Sequence, residues 1–235
     1  PMSSSLFLSQ RSLYEDDYSC ILRNPQNEFN YGLHYHDFYE CVLYLGNAGI
    51  FRIEDQEYLI KRGDIVLIDM FKPHTLTYNK NYFYERFSLS INLSLLISFS
   101  TSRSNLLDVF HNCSDRLPVY HLSQEQLQKY LTLLDKYRKI KLENGKDILE
   151  KALIHQLLAY IYSDCYRGRH IDEKEAQHAQ TIAALLKYIN THLNEEITLE
   201  QLAAEVNYSE YYVSRLFRKI SGKTLTNYIQ EKRIE

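Results

Sequence analysis

The stretch ITLEQLAAEVNYSEYYVSRLFRKISG, residues 197–222, decides the fold of the last quarter of this 235-residue chain. Thr198, with a glutamine three residues later, forms a capping box that opens a short helix. Asn207 tolerates a left-handed turn that can end that helix. Ser209 caps a second helix, and Gly222 can stop it in a left-handed conformation. Two capped helices joined by so short a turn predict a helix-turn-helix, whose second helix would enter a DNA major groove.

The outward face of this second helix is basic. Residues 209–233 contain six basic and two acidic side chains, whereas the whole chain has 27 basic and 30 acidic ones and a net charge of −3. We expect Arg215 to contact a base edge, because a guanidinium can donate two hydrogen bonds to guanine. Arg218, Lys219 and Lys223 are expected to meet phosphates, which adds affinity without sequence choice. The alternative is a surface helix of solvated cations. The predicted DNA-binding residues are Ser209, Tyr211, Ser214, Arg215, Arg218, Lys219 and Lys223.

The segment 182–234 resembles the first helix-turn-helix of the AraC/XylS family of bacterial transcription regulators. The resemblance is carried by NYSEYYVSRLFRKISG at 207–222 and TLTNYI at 224–229, with Asn207 where the family usually has glycine. It implies a DNA-binding transcription regulator whose partner is promoter DNA. Family members carry a second helix-turn-helix after a connecting helix. This sequence stops at Glu235, where that helix would be under way, so we expect the fragment to bind DNA weakly or not at all.

The N-terminal part of the chain is predicted to be rich in β-strands. Short runs of Tyr, Phe, Ile and Val are separated by Gly and Pro, which is typical of strands joined by turns. The clearest runs are 41–45, 50–53, 57–61, 65–69 and 82–91. The polar EDQE tip between the second and third runs suits a tight hairpin. Many short strands at regular spacing predict a small sandwich or barrel.

Polar side chains that can bind a ligand cluster in two of these strand segments, GLHYHDFYECVLYLGNAG at 32–49 and GDIVLIDMFKPHTLTYN at 63–79. His34 and His36 are two residues apart, so they share one face of a strand, and Glu40 has the same parity. His74 is expected on a neighbouring strand. Three imidazoles and one carboxylate can together bind a transition metal.

These segments are similar to the two sequence motifs of cupins and to the sensor half of AraC-type regulators, in which HxHxFYE and a later Pro-His recur. The sensor resemblance implies an effector pocket for a sugar or another small polar molecule, formed by His34, His36, Tyr39, Glu40 and His74. Catalytic cupins usually have a glycine between the Pro and the His of the second motif, whereas here they are adjacent. This favours a metal-free sensor that is not an enzyme. The alternatives are a bound divalent transition metal at the three histidines and Glu40, and a metal-dependent cupin dioxygenase or isomerase.

Amphipathic helices follow the strands. Ser123 with Gln126 is a capping box that opens a helix, and a second helix is expected from about 147 to 166. Their leucine stripes could form a homodimer seam, although packing within one subunit explains them equally well. We therefore predict an α+β chain in which a cupin-like antiparallel β-barrel with appended helices precedes a partial all-α helix-turn-helix domain. The predicted division is a cupin-like domain at 1–122, a helical dimerisation or packing region at 123–167, a linker at 168–180 and the helix-turn-helix domain at 181–235.

Composition excludes several other classes of protein. Every apolar run is too short to cross a bilayer, and the N-terminus lacks the features of a signal peptide, so no membrane partner is expected. The four cysteines lie far apart without a CxxC motif, which is typical of reduced thiols in the cytoplasm. Glycine-rich phosphate loops are missing from the sequence, so nucleotide chemistry has no support.

Overall fold

The computed structural model describes residues 17–23, 32–79, 85–111, 118–168 and 170–234. The strands of this described part precede most of its helices. They are β1 (Tyr18–Arg23), β2 (Tyr39–Tyr44), β3 (Gly49–Ile53), β4 (Gln56–Leu59), β5 (Asp64–Ile68), β6 (His74–Tyr78), β7 (Arg86–Ile91) and β8 (Val119–His121). Each of the four predicted runs from 41 to 69 overlaps one of these strands. Residues 82–84 of the fifth run lie outside the described ranges, and the rest of that run includes β7.

The strands form two antiparallel sheets. The larger sheet has the order β1-β7-β2-β5-β8 and the smaller sheet the order β4-β3-β6. In β2, alternate side chains belong to different cores, because successive strand residues point to opposite faces. Cys41 and Leu43 join the core that the helices cover, while Val42 and Tyr44 join a smaller core with Phe51 of β3. The α+β class is confirmed, but in the described chain the strands make two sheets and not a closed barrel.

A hairpin and a close backbone contact shape the smaller sheet. The predicted turn in EDQE is present, since β3 and β4 pair from Ile50↔Leu59 to Ile53↔Gln56 and Glu54 adopts a φ of 51°. Gly49 begins β3 at a point where a Cβ atom would collide with the carbonyl oxygen of Thr77. Only glycine allows that approach, which brings β6 and its His74 against β3.

Eight helices are present in the described part of the chain. They are α1 (Leu93–Phe99), α2 (Leu107–His111), α3 (Gln124–Arg138), α4 (Lys146–Cys165), α5 (Glu173–Thr191), α6 (Leu199–Glu205), α7 (Glu210–Ser221) and α8 (Leu225–Ile234). The capping box predicted at Ser123 opens α3, because its side chain accepts from the N–H of Gln126 and the Gln126 side chain accepts from the N–H of Ser123. None of the helices in the described ranges combines the length and the apolar character that a membrane span requires.

The prediction that residues 168–180 form a linker is wrong for 173–180, which form the first half of α5. Asp172 opens that helix through a capping box with Glu175. The first turns of α5 are mostly polar and partly exposed, so they lack the apolar spacing that reveals a packed helix. The local capping signal was the better guide here.

The segment just before α5 is held to the strand domain by Asp108 of α2. The Asp108 side chain is fully buried and accepts hydrogen bonds from the Nδ1 of His170, at 2.7 Å, the N–H of Ile171, at 2.9 Å, and the hydroxyl of Tyr162, at 3.3 Å. Breaking the hydrogen bonds of a buried carboxylate costs stability, because its charge is then left without donors. The short connection between α4 and α5 is thereby fixed at its centre.

Replacing Asp108 by alanine is expected to lower the free energy of unfolding by about 2–3 kcal/mol, because buried donors lose their acceptor. The matched control is Asp135→Ala, which removes an exposed carboxylate that pairs with Lys139 and should cost about 0.5 kcal/mol or less. Urea unfolding of both variants measures the difference. Equal losses would contradict the anchoring role of Asp108.

Candidate functional site

Three predicted histidines and Glu40 come together at one end of the space between the two sheets. The ring of His74 lies 4.3 Å from that of His34 and 4.9 Å from that of His36, measured between centroids. The Oε2 of Glu40 lies 3.3 Å from the Nε2 of His36 and 3.8 Å from the Nε2 of His74. All four residues are buried. We call these four residues the histidine cluster.

Backbone pairing holds the two segments of the cluster together. The N–H of His34 donates to the carbonyl of His74 at 3.0 Å, and the N–H of His74 donates to the carbonyl of His34 at 2.8 Å. Glu40 lies in β2, where it pairs with Ile68 of β5 and Ser90 of β7. The central strand of the larger sheet therefore fixes the Glu40 carboxylate. The backbone pairing of His34 with His74, which lies in β6 of the smaller sheet, fixes two of the imidazoles.

Each imidazole of the cluster is oriented by a backbone carbonyl. The Nδ1 atoms of His34, His36 and His74 lie 2.9, 2.7 and 2.8 Å from the carbonyl oxygens of Gly32, Phe38 and Lys72. A carbonyl only accepts, so each Nδ1 carries the proton, and the Nε2 of a neutral ring presents its lone pair. The Nε2 of His36 hydrogen-bonds the Glu40 carboxylate at 3.3 Å, whereas the Nε2 of His74 lies 3.8 Å from that carboxylate and has no hydrogen-bond partner among the described residues.

Burial and mutual repulsion favour the neutral form of two of these histidines. Burial, with repulsion from the other two imidazoles, lowers the pKa of His74 to about 3. Burial also lowers the pKa of His34. For Glu40, burial alone would raise the pKa, but the hydrogen bond and charge of His36, with Arg86 and His74, outweigh it and lower the pKa to about 2. Near neutral pH Glu40 is therefore a carboxylate, and His34 and His74 are uncharged.

This arrangement fits a cation. One ligand atom from each of His36, Glu40 and His74 lies within 4.8 Å of the others, and the Nε2 of His74 is buried with no hydrogen-bond partner among the described residues. Two imidazole nitrogens and a carboxylate oxygen are a ligand set that zinc and other divalent transition metals accept. The hydrogen bonds between the Nδ1 atoms and the backbone carbonyls would orient the imidazoles as ligands. A polar effector with a hydroxyl donor would satisfy the same nitrogen.

Tyr39, predicted as a fifth effector ligand, is not brought to the cluster. It precedes Glu40 in β2 and therefore points to the opposite face of the sheet. Its ring is fully buried among the residues of the helix-covered core, and its hydroxyl lies 3.2 Å from the Nε2 of His111. Burial raises the pKa of Tyr39 well above its ordinary value. The structure gives this tyrosine a place in the core.

The second polar surface is the predicted helix-turn-helix. Thr198 opens α6 with a capping box, and Asn207 makes the turn with a φ of 56°. Ser209 opens α7 by accepting from the N–H of Tyr212, and Gly222 ends it at a φ of 73°. The capping and turn residues thus act as predicted, since each satisfies backbone groups that a helix end leaves unpaired.

Most of the predicted DNA-binding residues lie on the outer face of α7. Tyr211 is 71% exposed, and the Nη1 of Arg215 donates to its hydroxyl at 3.1 Å, with the guanidinium carbon 5.5 Å from the ring centre. Arg218 and Lys219 are exposed as well, as is the helix cap Ser209, and Ser214 is half-buried. Val213, Leu216 and Phe217 form the buried side of this helix.

Lys223 is the exception. Its Nζ lies 2.6 Å from the Oε2 of Glu231 in α8 and also hydrogen-bonds the hydroxyl of Tyr35 in the strand domain. In this arrangement the ammonium contacts protein, and its assignment to a phosphate stays a prediction. Sequence reasoning also missed Lys232, whose Nζ lies 2.7 Å from the Oδ2 of Asp37. The contacts of Lys223 with Tyr35 and of Lys232 with Asp37 join residues almost two hundred positions apart, so no local sequence pattern predicts them.

Comparison with known proteins finds two family profiles in the chain. The AraC-like ligand binding domain matches residues 18–158, and the bacterial regulatory helix-turn-helix proteins of the AraC family match residues 189–230. The first match contains the histidine cluster and the second contains α7. The order of the two profiles is the order of the two polar surfaces described above.

Several curated proteins are similar in sequence. The uncharacterized HTH-type transcriptional regulator YdeC of Bacillus subtilis is 24% identical over 207 residues, covering 86% of this chain and 70% of that protein. The HTH-type transcriptional activator RhaR of Salmonella dublin is 22% identical over 246 residues, covering 99% of this chain and 82% of that protein. The regulatory protein SoxS of Salmonella typhimurium is 32% identical over 57 residues, covering 24% of this chain and 53% of that protein.

The extent of these matches differs. The chain spans 53% of the length of SoxS and 37% of the length of the bifunctional transcriptional activator/DNA repair enzyme AdaA of Bacillus subtilis.

Among solved structures, an apo form of a ToxT variant from Vibrio cholerae aligns with a TM-score of 0.43 at 11% identity, over 92% of this chain and 97% of that chain. The AraC-like transcriptional activator CuxR aligns with a TM-score of 0.43 at 14% identity, over 84% and 66%.

At such TM-scores the structural likenesses add nothing to the assignment, which rests on the two sequence profiles. Their boundaries enclose the elements that carry the histidine cluster and the exposed face of α7. Because the ligand-binding profile alone spans more than half of the chain, this protein belongs to the AraC family of bacterial regulatory helix-turn-helix proteins.

Proposed function

We propose that this chain is the sensor and DNA-reading part of a cytoplasmic transcription regulator. The observation that carries the proposal is the exposed pair Tyr211 and Arg215 on a capped second helix, in the same chain as a buried polar cluster. The helix places the pair where a major groove can receive it. The cluster offers a place where a small molecule can bind and bias the arrangement of the chain. Promoter DNA is the proposed macromolecular partner.

The proposed effector is a small polar molecule, with a sugar or related nutrient as the first class to test. The cluster presents the Glu40 carboxylate and the Nε2 of the uncharged His74, and both groups accept hydrogen bonds from hydroxyls. The Nε2 of His74 supports this, because it is buried without a hydrogen-bond partner among the described residues. A divalent transition metal is the second candidate, supported by the mutual spacing of His36, Glu40 and His74.

We propose that the chain is not an enzyme. The relatives YdeC, RhaR and SoxS are all named as regulators, and the family to which the chain belongs is one of regulatory proteins. The name of AdaA shows that one relative combines regulation with repair chemistry. A metal-dependent cupin reaction would use the histidine cluster but would leave the exposed basic face of α7 without a role.

A homodimer is the proposed assembly. The two predicted leucine stripes are largely used inside the chain, since Leu127, Leu134 and Leu157 are buried in the main core. The start of α4 is different, because Ile148 is 71% exposed and Leu149 is 37% exposed.

Sedimentation velocity should show a dimer that Ile148→Asp dissociates, because a charge would be placed in an apolar contact. A monomer at micromolar concentration would contradict this assembly.

Arg215→Ala is expected to weaken binding to the preferred DNA site by about 1–3 kcal/mol and to relax sequence preference at one base pair. Arg218→Ala should weaken binding to all sequences alike and reduce its dependence on salt, because a phosphate contact is lost. Gel-shift measurements on the full-length gene product, with sites selected from a randomised DNA library, distinguish the two. Arg52→Ala in the exposed β3–β4 hairpin is the control. Unchanged affinity and specificity in Arg215→Ala would remove the base-contact assignment.

A panel of sugars and divalent metals is expected to contain a ligand that raises the melting temperature, because a molecule that binds only the folded chain stabilises it. His74→Gln should abolish that rise, whereas His155→Gln, an exposed imidazole stacked on Phe99, should retain it. Metal analysis of the purified protein accompanies the screen. Stoichiometric iron, manganese or nickel together with substrate turnover would support the cupin enzyme and contradict the sensor.

A further inference from the structure

The first half of α5 lies against the flank of α7. The Nε2 of Gln177 donates to the hydroxyl of Tyr208 at 2.8 Å, just before the residue that caps α7. The ring of Tyr212 in α7 lies 4.5 Å from that of Tyr208 and 6.4 Å from that of His178, between centroids. Burial raises the pKa of Tyr212, so this ring carries no charge near neutral pH. These contacts hold the start of α5 beside the helix that is proposed to read DNA.

Two lysines meet at this contact, one from each helix. Lys174 precedes His178 by four residues, so both lie on the same side of α5. Lys219 lies about two turns after Tyr212, on the same flank of α7. Both ammonium charges act on the His178 ring, which is half-buried, whereas the two lysines are exposed. We call Lys174, His178 and Lys219 the basic flank.

The acidic side chains that act on His178 belong to the cap of α5. Asp172 accepts from the N–H of Glu175 at 2.7 Å, and the Glu175 side chain accepts from the N–H of Asp172 at 3.0 Å. Both carboxylates thus stabilise the positive end of the helix dipole. Among the described residues no ion pair engages Lys174 or Lys219. These two cations are therefore available to an anion from outside the chain.

The position and the charge of the basic flank favour a DNA phosphate as that anion. Arg215 lies four residues before Lys219 in α7, so the exposed face that is proposed to read bases continues into the flank. A helix in the major groove is bordered by the phosphates of the DNA backbone. Lysines neutralise such phosphates whatever the base sequence, and so add affinity without specificity.

We propose that Lys174, His178 and Lys219 together bind one backbone phosphate beside α7, and that His178 takes up a proton when they do so. The inference rests on the proposed reading of DNA by Arg215. It extends the DNA contact into the first half of α5, which lies before the matched helix-turn-helix range 189–230.

Proton uptake follows from the charges around His178. Burial, with the positive charges of Lys219 and Lys174, lowers the pKa of His178, and the carboxylates of Asp172 and Glu175 do not outweigh this. The ring is therefore predominantly uncharged near neutral pH in the free protein. A phosphate offsets the repulsion by the lysines and accepts a hydrogen bond from the protonated ring, so the pKa rises in the complex. The added affinity is complete below the pKa of the free protein and is lost as the pH rises through the pKa of the complex.

The salt dependence of DNA binding by the full-length gene product tests the phosphate contact. One such contact contributes about 0.9 to the slope of log affinity against log salt concentration. Raising the salt from about 50 to about 200 mM should therefore weaken binding of the unmodified protein about threefold to fourfold more than binding of Lys174→Ala. Lys187→Ala is the matched control, because Lys187 is exposed on the opposite side of the same helix. This variant should keep the slope of the unmodified protein.

The pH dependence of the same binding tests the role of His178. Affinity of the unmodified protein should rise as the pH falls from about 8 to about 6, by up to about tenfold per pH unit for one proton taken up. His178→Gln should lose this rise and bind as the unmodified protein does at the higher pH. His178→Arg, whose guanidinium is always charged, should bind tightly at both pH values, and it covers the case in which the glutamine disturbs packing against Tyr212.

Equal salt slopes in Lys174→Ala and the unmodified protein would overturn the phosphate contact. A pH dependence that survives in His178→Gln would overturn the proton uptake. Failure of the proposed function gives a different result, because the unmodified protein would then select no DNA site at all, and the basic flank would lose its partner with it.

Discussion

The orientation of three imidazoles by three backbone carbonyls is the constraint on which the sensor depends. Each Nδ1 lies within 2.9 Å of a carbonyl oxygen, so each ring carries a proton on Nδ1. The Nε2 of His74 faces the Glu40 carboxylate without a hydrogen-bond partner among the described residues, and the larger sheet holds that carboxylate in place. Such a cluster gains stability when a cation or a hydroxyl donor enters it, and this is the physical basis for interpreting it as an effector site.

The DNA-reading unit presents two different surfaces in the same arrangement. The outer face of α7 exposes Tyr211 and Arg215, while Lys223 and α8 are engaged by the strand domain. A chain in this state can touch DNA with part of its basic surface only. An effector changes DNA binding only if it binds the docked and released states with different affinity.

Local signals in the sequence predicted most of the fold and part of the site. Capping at Ser123, Thr198 and Ser209 depends on residues three positions apart, and each capped helix is present. Parity along a strand grouped His34, His36 and Glu40 correctly, and the same parity excludes Tyr39, which only the motif had suggested. The polar first turns of α5 hid a helix from periodicity. The capping pair Asp172 and Glu175 was the signal that could have revealed it.

The contacts between the two parts of the chain could not be predicted in this way. Asp37 with Lys232, and Tyr35 with Lys223, are almost two hundred residues apart, and each residue alone reads as an ordinary surface charge or aromatic. The pairing of Lys223 with Tyr35 and Glu231 was missed for this reason, because a position in the helix-turn-helix does not show what that unit packs against. Tertiary docking decides the role of such residues, and only a structure shows it.

The proposed regulator requires energetic coupling between the histidine cluster and DNA binding, and because such coupling is reciprocal it can be measured from the sensor side. The zinc affinity of the full-length gene product is determined by calorimetry with and without its selected DNA site. We expect DNA to change the zinc affinity by about 5-fold to 150-fold, which is the ordinary size of allosteric coupling. Equal zinc affinities in the presence and absence of DNA would contradict the coupling.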